Sequence, residues 1–554
     1  MVEGSGGRKS TWSIRGRRGY HQVLFFGQGK PIGIWVNQNK YAIPPSVPLT
    51  CGGFSSILRG MPKRQVYLLS PKELSPETIA VAFAKTSRSP ESFREIAAEL
   101  SDKQSAQFHE KWVVGYGHAS VAEHAVLHIA IENVSRLAVE CIESNRLASY
   151  TEKSTRYQKW GPKDLFFQPP LPEIEGIESD RYHPKEGPED FFVPSELDGQ
   201  AAKKAIYLQT CRRLFDTYAK SLAPLREVVK KNNPPSEGES AEAHDRRIRS
   251  QYVDSCRFLL PAASLANLGI TANARVLEHA ISKMLSHPLE EVREIGEEVK
   301  AAALAEVPTL VKYAEAVPYL EGMGKEFKHK VLKEQENGKR DWCTLIDFDP
   351  EGEMKVLAAV LYRFGEMSQE QALESVRKAH EPKRAKMADS LLGTMGEHDT
   401  PLRELEYTTY TFDLIMDQGA YVEFKRHRMM TQTPQNLTTR LGYAVPHLVV
   451  EAGFEAQYRS AMDAAAETYE KLAGWNSSVA GYVVPNGFNR RVMFTMNLRE
   501  AFAFCQLRAS ANAHFSMRRV AQRVAEEIRR VHPLLGKYLR LPDETWQEIE
   551  TKNL

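Results

Sequence analysis

The sequence has no uninterrupted apolar run of about 18 residues, which excludes an ordinary membrane-spanning helix. Its 554 residues include only six cysteines (Cys51, Cys141, Cys211, Cys256, Cys343 and Cys505), widely spaced and without a C-x-x-C pair. That pattern offers no zinc ribbon, redox dithiol or disulfide framework, and the expected compartment is a reducing, cytoplasmic one. An excess of one charge is missing too: 73 Lys+Arg stand against 71 Asp+Glu, for a formal net charge of +2. No global field draws the chain to nucleic acid or to a membrane surface, so any anion site must be local. No glycine-rich phosphate loop opens a helix, because Gly115-Tyr-Gly117 is too short. No G-x-S-x-G elbow occurs either, leaving covalent serine catalysis unsupported.

What is present begins poorly patterned. Residues 1–60 carry an Arg-rich, acid-poor start and scattered apolar residues without helical period. They suit a disordered arm, a targeting segment, or a start placed ahead of Met61. From Met61 the pattern sharpens into a first unit spanning 61–335. Ser75-Pro76-Glu77 predicts a helix start, Glu91–Trp112 a helical stretch, Ala125–Ile131 a strand, and Ser135 the cap of the next helix. Long helices are expected near 200–231, 242–260 and 273–305. A linker around Glu334–Arg340 leads into a second unit, 341–554, where the order recurs: helices over 352–382, a Tyr407–Phe412 strand, a short helix to Arg428, and long helices near 447–473 and 497–530. Pro261 precedes Asn273-Ala-Arg275, and Pro485 precedes Asn497-Leu-Arg499, by the same interval. Two diverged copies of one α+β unit account for these landmarks.

Three clusters carry candidate chemistry. Arg426-His427-Arg428, followed by Thr431, Thr433, Asn436, Thr438 and Arg440, suits a phosphate or an electron-rich heterocycle, against the alternative of surface cations matched to a helix dipole. In the first unit, an extended segment would project Glu152, Ser154 and Arg156 from one face, a set suited to a nucleoside monophosphate or simply to a solvated edge strand. His118, Glu123, His124 and His128 could bind a metal, pack, or contact a ligand; their spacing fits no familiar closed metal site, and none is expected.

Together these segments resemble the flavin-dependent thymidylate synthases (the ThyX family). In the first unit the resemblance rests on Gly117-His118…Glu123-His124, Ser149-Tyr150…Glu152…Ser154…Arg156-Tyr157, Arg257…Leu260-Pro261 and Asn273-Ala-Arg275. In the second it rests on Gly396…His398-Asp-Thr-Pro401, Arg426-His427-Arg428, Asn497-Leu-Arg499 and Leu507-Arg508. It implies two tandem units of long helices packed with a small, mainly antiparallel sheet. It also implies FAD-dependent methylation of dUMP to dTMP, with methylenetetrahydrofolate and NADPH as co-substrates. The residues it marks as catalytic are His118, Arg426, His427 and Arg428. The nucleotide would be bound by Glu152, Ser154, Arg156, Tyr157, Arg257 and Arg508. The flavin would be held by Arg426, His427, Arg428, Ser149, Asn273, Arg275, Asn497 and Arg499.

The departures from the family pattern are complementary. The first unit has Ser144-Asn145-Arg146 in place of Arg-His-Arg. In the second, Arg428 to Thr438 spans nine intervening residues where the family has seven, Thr stands for Ser, the preceding Glu is missing, and Gly481 or Tyr482 faces the place of Arg257. A composite site shared by both units follows, with a homodimer imitating the family's tetramer, and with no nucleic-acid or membrane partner. Two other readings are a non-catalytic nucleotide-binding or scaffold paralogue, and a flavin enzyme acting on another pyrimidine.

Overall fold

The computed structural model describes residues 13–17, 20–25, 32–37, 67, 69–86, 89, 92–115, 119–156, 190–328 and 341–554. His118 and Tyr157 lie outside them. Within the N-terminal extension, β1 (Ser13–Arg17), β2 (Tyr20–Phe25) and β3 (Ile32–Asn37) form an antiparallel meander. No pattern was expected there; the period of two in Ile32-Gly-Ile34-Trp-Val36 is the signal that helical periodicity overlooks.

From Leu69 to Leu554 the chain forms one compact unit. Its first part runs α1 (Pro76–Thr86), α2 (Phe93–Glu99), α3 (Asp102–His109), β4 (Val126–Ser135), α4 (Arg136–Ile142), β5 (Ala148–Glu152), α5 (Ala201–Asn232), α6 (Ala241–Cys256), β6 (Leu265–Asn273), α7 (Ala274–Leu285) and α8 (Glu290–Leu304). After β7 (Cys343–Phe348), the second part repeats that order: α9 (Gly352–Gly365), α10 (Gln369–Lys378), α11 (Glu381–Ala388), β8 (Thr409–Asp417), α12 (Gln418–Phe424), β9 (Thr431–Pro434), α13 (Glu455–Ala473), α14 (Ser477–Ala480), β10 (Asn489–Asn497), α15 (Leu498–Arg508) and α16 (Phe515–Val531). Both sheets are antiparallel, with the last strand of each unit lying between earlier ones, β4-β6-β5 and β7-β8-β10-β9. The chain thus carries two tandem α+β units of the expected class.

Several long helical stretches are broken where capping residues start a new helix. Ser92 and Ser101 each form a reciprocal capping box, with Glu95 and Gln104, which divides the stretch expected over Glu91–Trp112. Ser368 with Gln371 does the same between α9 and α10.

The units meet through backbone pairing that is symmetric in kind. Ala262 N donates to Val484 O at 2.9 Å, and Asn486 N returns a bond to Leu260 O at 3.0 Å. Ala263 N reaches Tyr482 O at 2.8 Å, and Gly487 N reaches Phe258 O at 2.9 Å. Pro261 and Pro485 form an antiparallel bridge at the centre. Equivalent residues exchange equivalent bonds, as at a two-fold interface between identical subunits. Helices α5 and α13 pack across the same seam, where the buried Thr210 and Thr468 hydroxyls lie 2.7 Å apart. Residues of α13 and the Val479–Phe488 segment belong to the first unit's hydrophobic core, so the boundary in sequence is no boundary in packing.

Candidate active site at the junction of the two units

Asp417 caps α12 by accepting from Ala420 N, and the helix stops at Phe424. The Arg-His-Arg triplet therefore lies on the turn after the helix. That turn leaves Arg426 exposed and turns His427 inward. Facing it is β5 of the first unit, whose alternation leaves Ser149 and Thr151 exposed and tucks Tyr150 and Glu152 toward the protein.

Charges from both units converge here. Arg426 Nη2 lies 3.3 Å from Glu152 Oε2, and Arg136 Nη2 lies 3.1 Å from Glu152 Oε1. Burial pushes the Glu152 carboxyl up, but Arg136, Lys425 and Arg426 outweigh it and hold the group below the usual range. Arg156 grips Asp254 with Nε at 2.9 Å and Nη2 at 2.8 Å, and its Nη1 donates to Asn512 O at 2.9 Å. Arg257 is only 2% exposed; it donates to Thr155 Oγ1 at 3.1 Å and lies 3.5 Å from Glu423 Oε1. Arg508 reaches Glu423 Oε2 at 3.3 Å and donates Nε–H to His427 Nε2 at 2.8 Å. Desolvation raises the buried Asp254 carboxyl and lowers Arg257 and Arg508 from their ordinary values.

The structure brings Glu152, Arg156, Arg257, Arg426, His427 and Arg508 into one cluster. His427 has both ring nitrogens engaged: Nε2 accepts from Arg508, so the proton sits on Nδ1, 3.0 Å from Glu500 Oε1. Burial lowers its pKa, keeping the ring neutral between Glu500 and Arg508. The single extended face expected for Glu152, Ser154 and Arg156 ends at Glu152. Beyond it the chain turns, Thr155 is buried, and Ser154 Oγ accepts from Arg156 N at 3.2 Å.

Four residues expected to hold the flavin have partners within the chain outside this cluster. Asn273 and Asn497 spend their side-chain oxygens capping α7 and α15. Arg275 pairs with Glu123, and Arg499 holds Pro401 O at 2.9 Å and Glu406 at 3.0 Å. Ser149 is exposed, Arg428 stacks 5.4 Å over the Tyr150 ring, and His128 faces Thr271 Oγ1 at 2.9 Å. The described residues contain no group of three or more His, Cys, Asp or Glu placed to hold a metal ion.

Strand register also corrects the internal alignment. Ser149 pairs with Thr271 and Thr431 with Thr495, and Asn273 and Asn497 cap equivalent helices. Asn436, not Thr438, therefore occupies the place of Ser154, with seven residues intervening from Arg428 just as from Arg146. The loop is not lengthened.

Sequence reasoning missed Arg136, Asp254, Glu423 and Glu500. One of them carried a legible signal: Asp254 lies three residues before Arg257, the interval that puts side chains on one helical face. Among the described residues Arg426, nearly half exposed, makes one long bond, and the buried Arg257 Nε has no acceptor. Such a donor set fits phosphate oxygens and the carbonyl edge of an electron-rich ring.

The family model described as "Thymidylate synthase complementing protein" matches residues 69–309 and again 344–534. The UPF0159 protein of Chlamydia muridarum is 31% identical over 463 residues, covering 80% of this chain and 82% of that protein. The UPF0159 protein of Thermoplasma acidophilum is 27% identical, covering 80% of this chain and 90% of its own length. A flavin-dependent thymidylate synthase of Thermococcus kodakarensis is 26% identical over 227 residues, covering 40% of this chain and 73% of that protein. A family pattern found twice, on two α+β units that pair about their own Leu-Pro and Val-Pro turns, leads to one conclusion: the chain belongs to the thymidylate synthase complementing protein family, the flavin-dependent thymidylate synthase fold, as a diverged tandem duplication.

Proposed function

We propose that the chain is a flavin-dependent, thymidylate synthase-like methyltransferase that converts dUMP to dTMP at one composite cleft, with FAD bound and with methylenetetrahydrofolate and NADPH as co-substrates. The observation that carries this reading is the convergence of Arg426 from the second unit with Glu152 and Arg156 from the first; neither unit holds the set alone.

When bound, FAD would take a hydride from NADPH and pass reducing equivalents to the one-carbon unit; the protein's part is orientation and electrostatics. Arg426 supplies open donors to the flavin's electron-rich edge or phosphates. Arg156 is anchored through Nε and Nη2 to Asp254, which fixes its plane, and Nη1, on the Asn512 carbonyl and 4.0 Å from Glu423, would exchange onto a nucleotide phosphate. Glu423, accepting from Arg257 and Arg508, holds both guanidiniums at the cleft floor. His427, neutral and fixed by Glu500, orients Arg508 through its Nε2.

The test is an absorbance scan followed by genetics. The pure protein, as isolated or after incubation with FAD, should show a flavin spectrum and should rescue a thymidine-requiring strain. A colourless protein that ignores FAD sinks the reading. A second reading, a nucleotide-binding paralogue without catalysis, draws on the carboxylate already paired with each cleft arginine; it expects neither flavin nor rescue.

A further inference from the structure

The symmetric seam that builds one cleft builds a second place of the same kind, where the first unit's Ser144-Asn145-Arg146 turn faces β9 and α14 of the second. It keeps Arg146 in the place of Arg428 and differs at the other charged positions of the first cleft. Strand register and the paired turns make Cys141 the counterpart of Glu423, Pro434 of Glu152, and Ser478 of Asp254. All three carboxylates that neutralise arginines in the first cleft are therefore replaced by uncharged groups. Gly481 stands where the first cleft has the buried Arg257, and its bareness has a consequence. A Cβ there would meet only Leu137 Cδ2 at 3.5 Å and Leu437 O at 4.0 Å, so the volume that Arg257 fills on one side stays open on the other. A cavity of about 420 Å³ results, lined by Cys141, Pro434, Ser478 and Gly481.

Three of the five Lys and Arg side chains that line this cavity lack a carboxylate partner among the described residues. Arg146 donates to Met430 O at 3.2 Å and Thr431 Oγ1 at 3.0 Å, Lys283 to Ser144 Oγ, and Arg428 stacks on Tyr150. Among the described residues no carboxylate lies within ion-pairing distance of these three. Lys425 and Arg490 also line the cavity, but Glu143 at 3.0 Å and Glu140 at 2.7 Å already neutralise them. Three unopposed cations around a partly apolar pocket, with Leu137, Tyr421 and Leu437 in its wall, are a binding site for an anion with a compact body.

We propose that this cavity is a second, non-catalytic binding site in each chain for a phosphate-bearing small molecule of mononucleotide size, its phosphate held by Arg146, Lys283 and Arg428. It stands apart from the flavin reading, because it rests on the lost carboxylates and the bare Gly481 rather than on any residue of the first cleft except Arg428.

Calorimetric titration of the full chain in phosphate-free buffer with inorganic pyrophosphate, and separately with thymidine 5′-monophosphate, tests it. Lys283→Glu should remove one binding event per chain or weaken it tenfold or more, and Lys283→Ala and Arg146→Gln should weaken the same event severalfold. The same charge reversal at exposed Lys220 should leave it intact. A mononucleotide bound tenfold more tightly than pyrophosphate supports a nucleotide as the occupant, and equal affinity supports the phosphate group alone as what is recognised. Absence of binding by either probe overturns the proposal. So does unchanged binding in Lys283→Ala and Arg146→Gln proteins whose melting temperatures match the parent.

Discussion

Arg426 and Glu152 face each other at 3.3 Å across the junction of two units that sequence separates by 273 intervening residues. The pair joins the turn after α12 to the end of β5. The arginine is 46% exposed and the carboxylate 2%, so one partner offers donors to solvent while the other anchors it.

Replacing Arg426 with Ala should strip flavin from the protein with little loss of fold. Glu152 keeps Arg136 at 3.1 Å, so no buried charge is orphaned. One charge-assisted contact is worth roughly 1.5–3 kcal/mol, which predicts about a ten- to hundredfold loss of FAD affinity. Flavin absorbance after gel filtration reads the first effect, and thermal melting reads the second.

Arg156→Ala should weaken nucleotide binding without releasing flavin, and it should also destabilise the chain. Asp254, 7% exposed, would lose a bidentate partner and retain only Arg257, whose Nε is 3.8 Å away. Breaking a buried pair from one side costs about 3–5 kcal/mol. Loss of both ligands together would count against the division of labour between the units.

Stability should fall in mild acid. Burial, reinforced by Arg293, lowers His287 to about 4; burial lowers His427 against the opposing Glu500 bond; and burial with Arg257 and Arg156 lowers His514 well below its ordinary value. His287 Nδ1 accepts from Leu289 N at 3.2 Å and His514 Nδ1 from Ser516 N at 3.2 Å, bonds a proton would abolish. A folded pKa below the unfolded one gives stability that is present above about pH 6.5 and lost as pH falls toward the folded value. Asp254 and Asp417, whose carboxyls burial raises, act in the opposite sense. His287→Asn, which retains an acceptor for Leu289, should therefore flatten the melting-temperature profile between about pH 6.5 and 4. An unchanged slope would refute the neutral assignment.

Gly487→Ala should loosen the seam. An added Cβ would meet the Tyr458 hydroxyl at 2.7 Å, Met462 Cε at 3.0 Å and Phe258 Cβ at 3.3 Å, on the residue whose N–H pairs with Phe258 O. Overpacking of this kind costs about 1–3 kcal/mol. The denaturation midpoint should drop, and because α13 and the Val479–Phe488 segment of the second unit complete the first unit's core, the transition should remain single.

Much of the second unit's chemistry was legible because its markers are local. Arg426-His427-Arg428 is contiguous, and Ser135, Asn273 and Asn497 announce their helices by capping them. The same capping chemistry is what Asn273 and Asn497, expected at a cofactor, perform in the fold. An Asn Oδ1 that closes a helix looks, in sequence, the same as one that faces a ligand. His427 shows the converse. Nothing adjacent to it in the chain reveals that Glu500 and Arg508, both on α15, occupy its two nitrogens. The nine-residue spacing to Thr438 dissolved once strand pairing, which counts residues against a partner, fixed Asn436 at the place of Ser154.

The sequence by itself determined the duplication, the α+β class, the family likeness and the unequal wear of the two copies, because residue types at fixed intervals record which helices and strands form. Tertiary structure alone decided which charges meet. The pairing of Pro261 with Pro485 about a local two-fold sets Arg426 opposite Glu152 and leaves Arg146 and Lys283 without an acid among the described residues. Whether a guanidinium is matched or open depends on distance in space, and chain separation carries no trace of it.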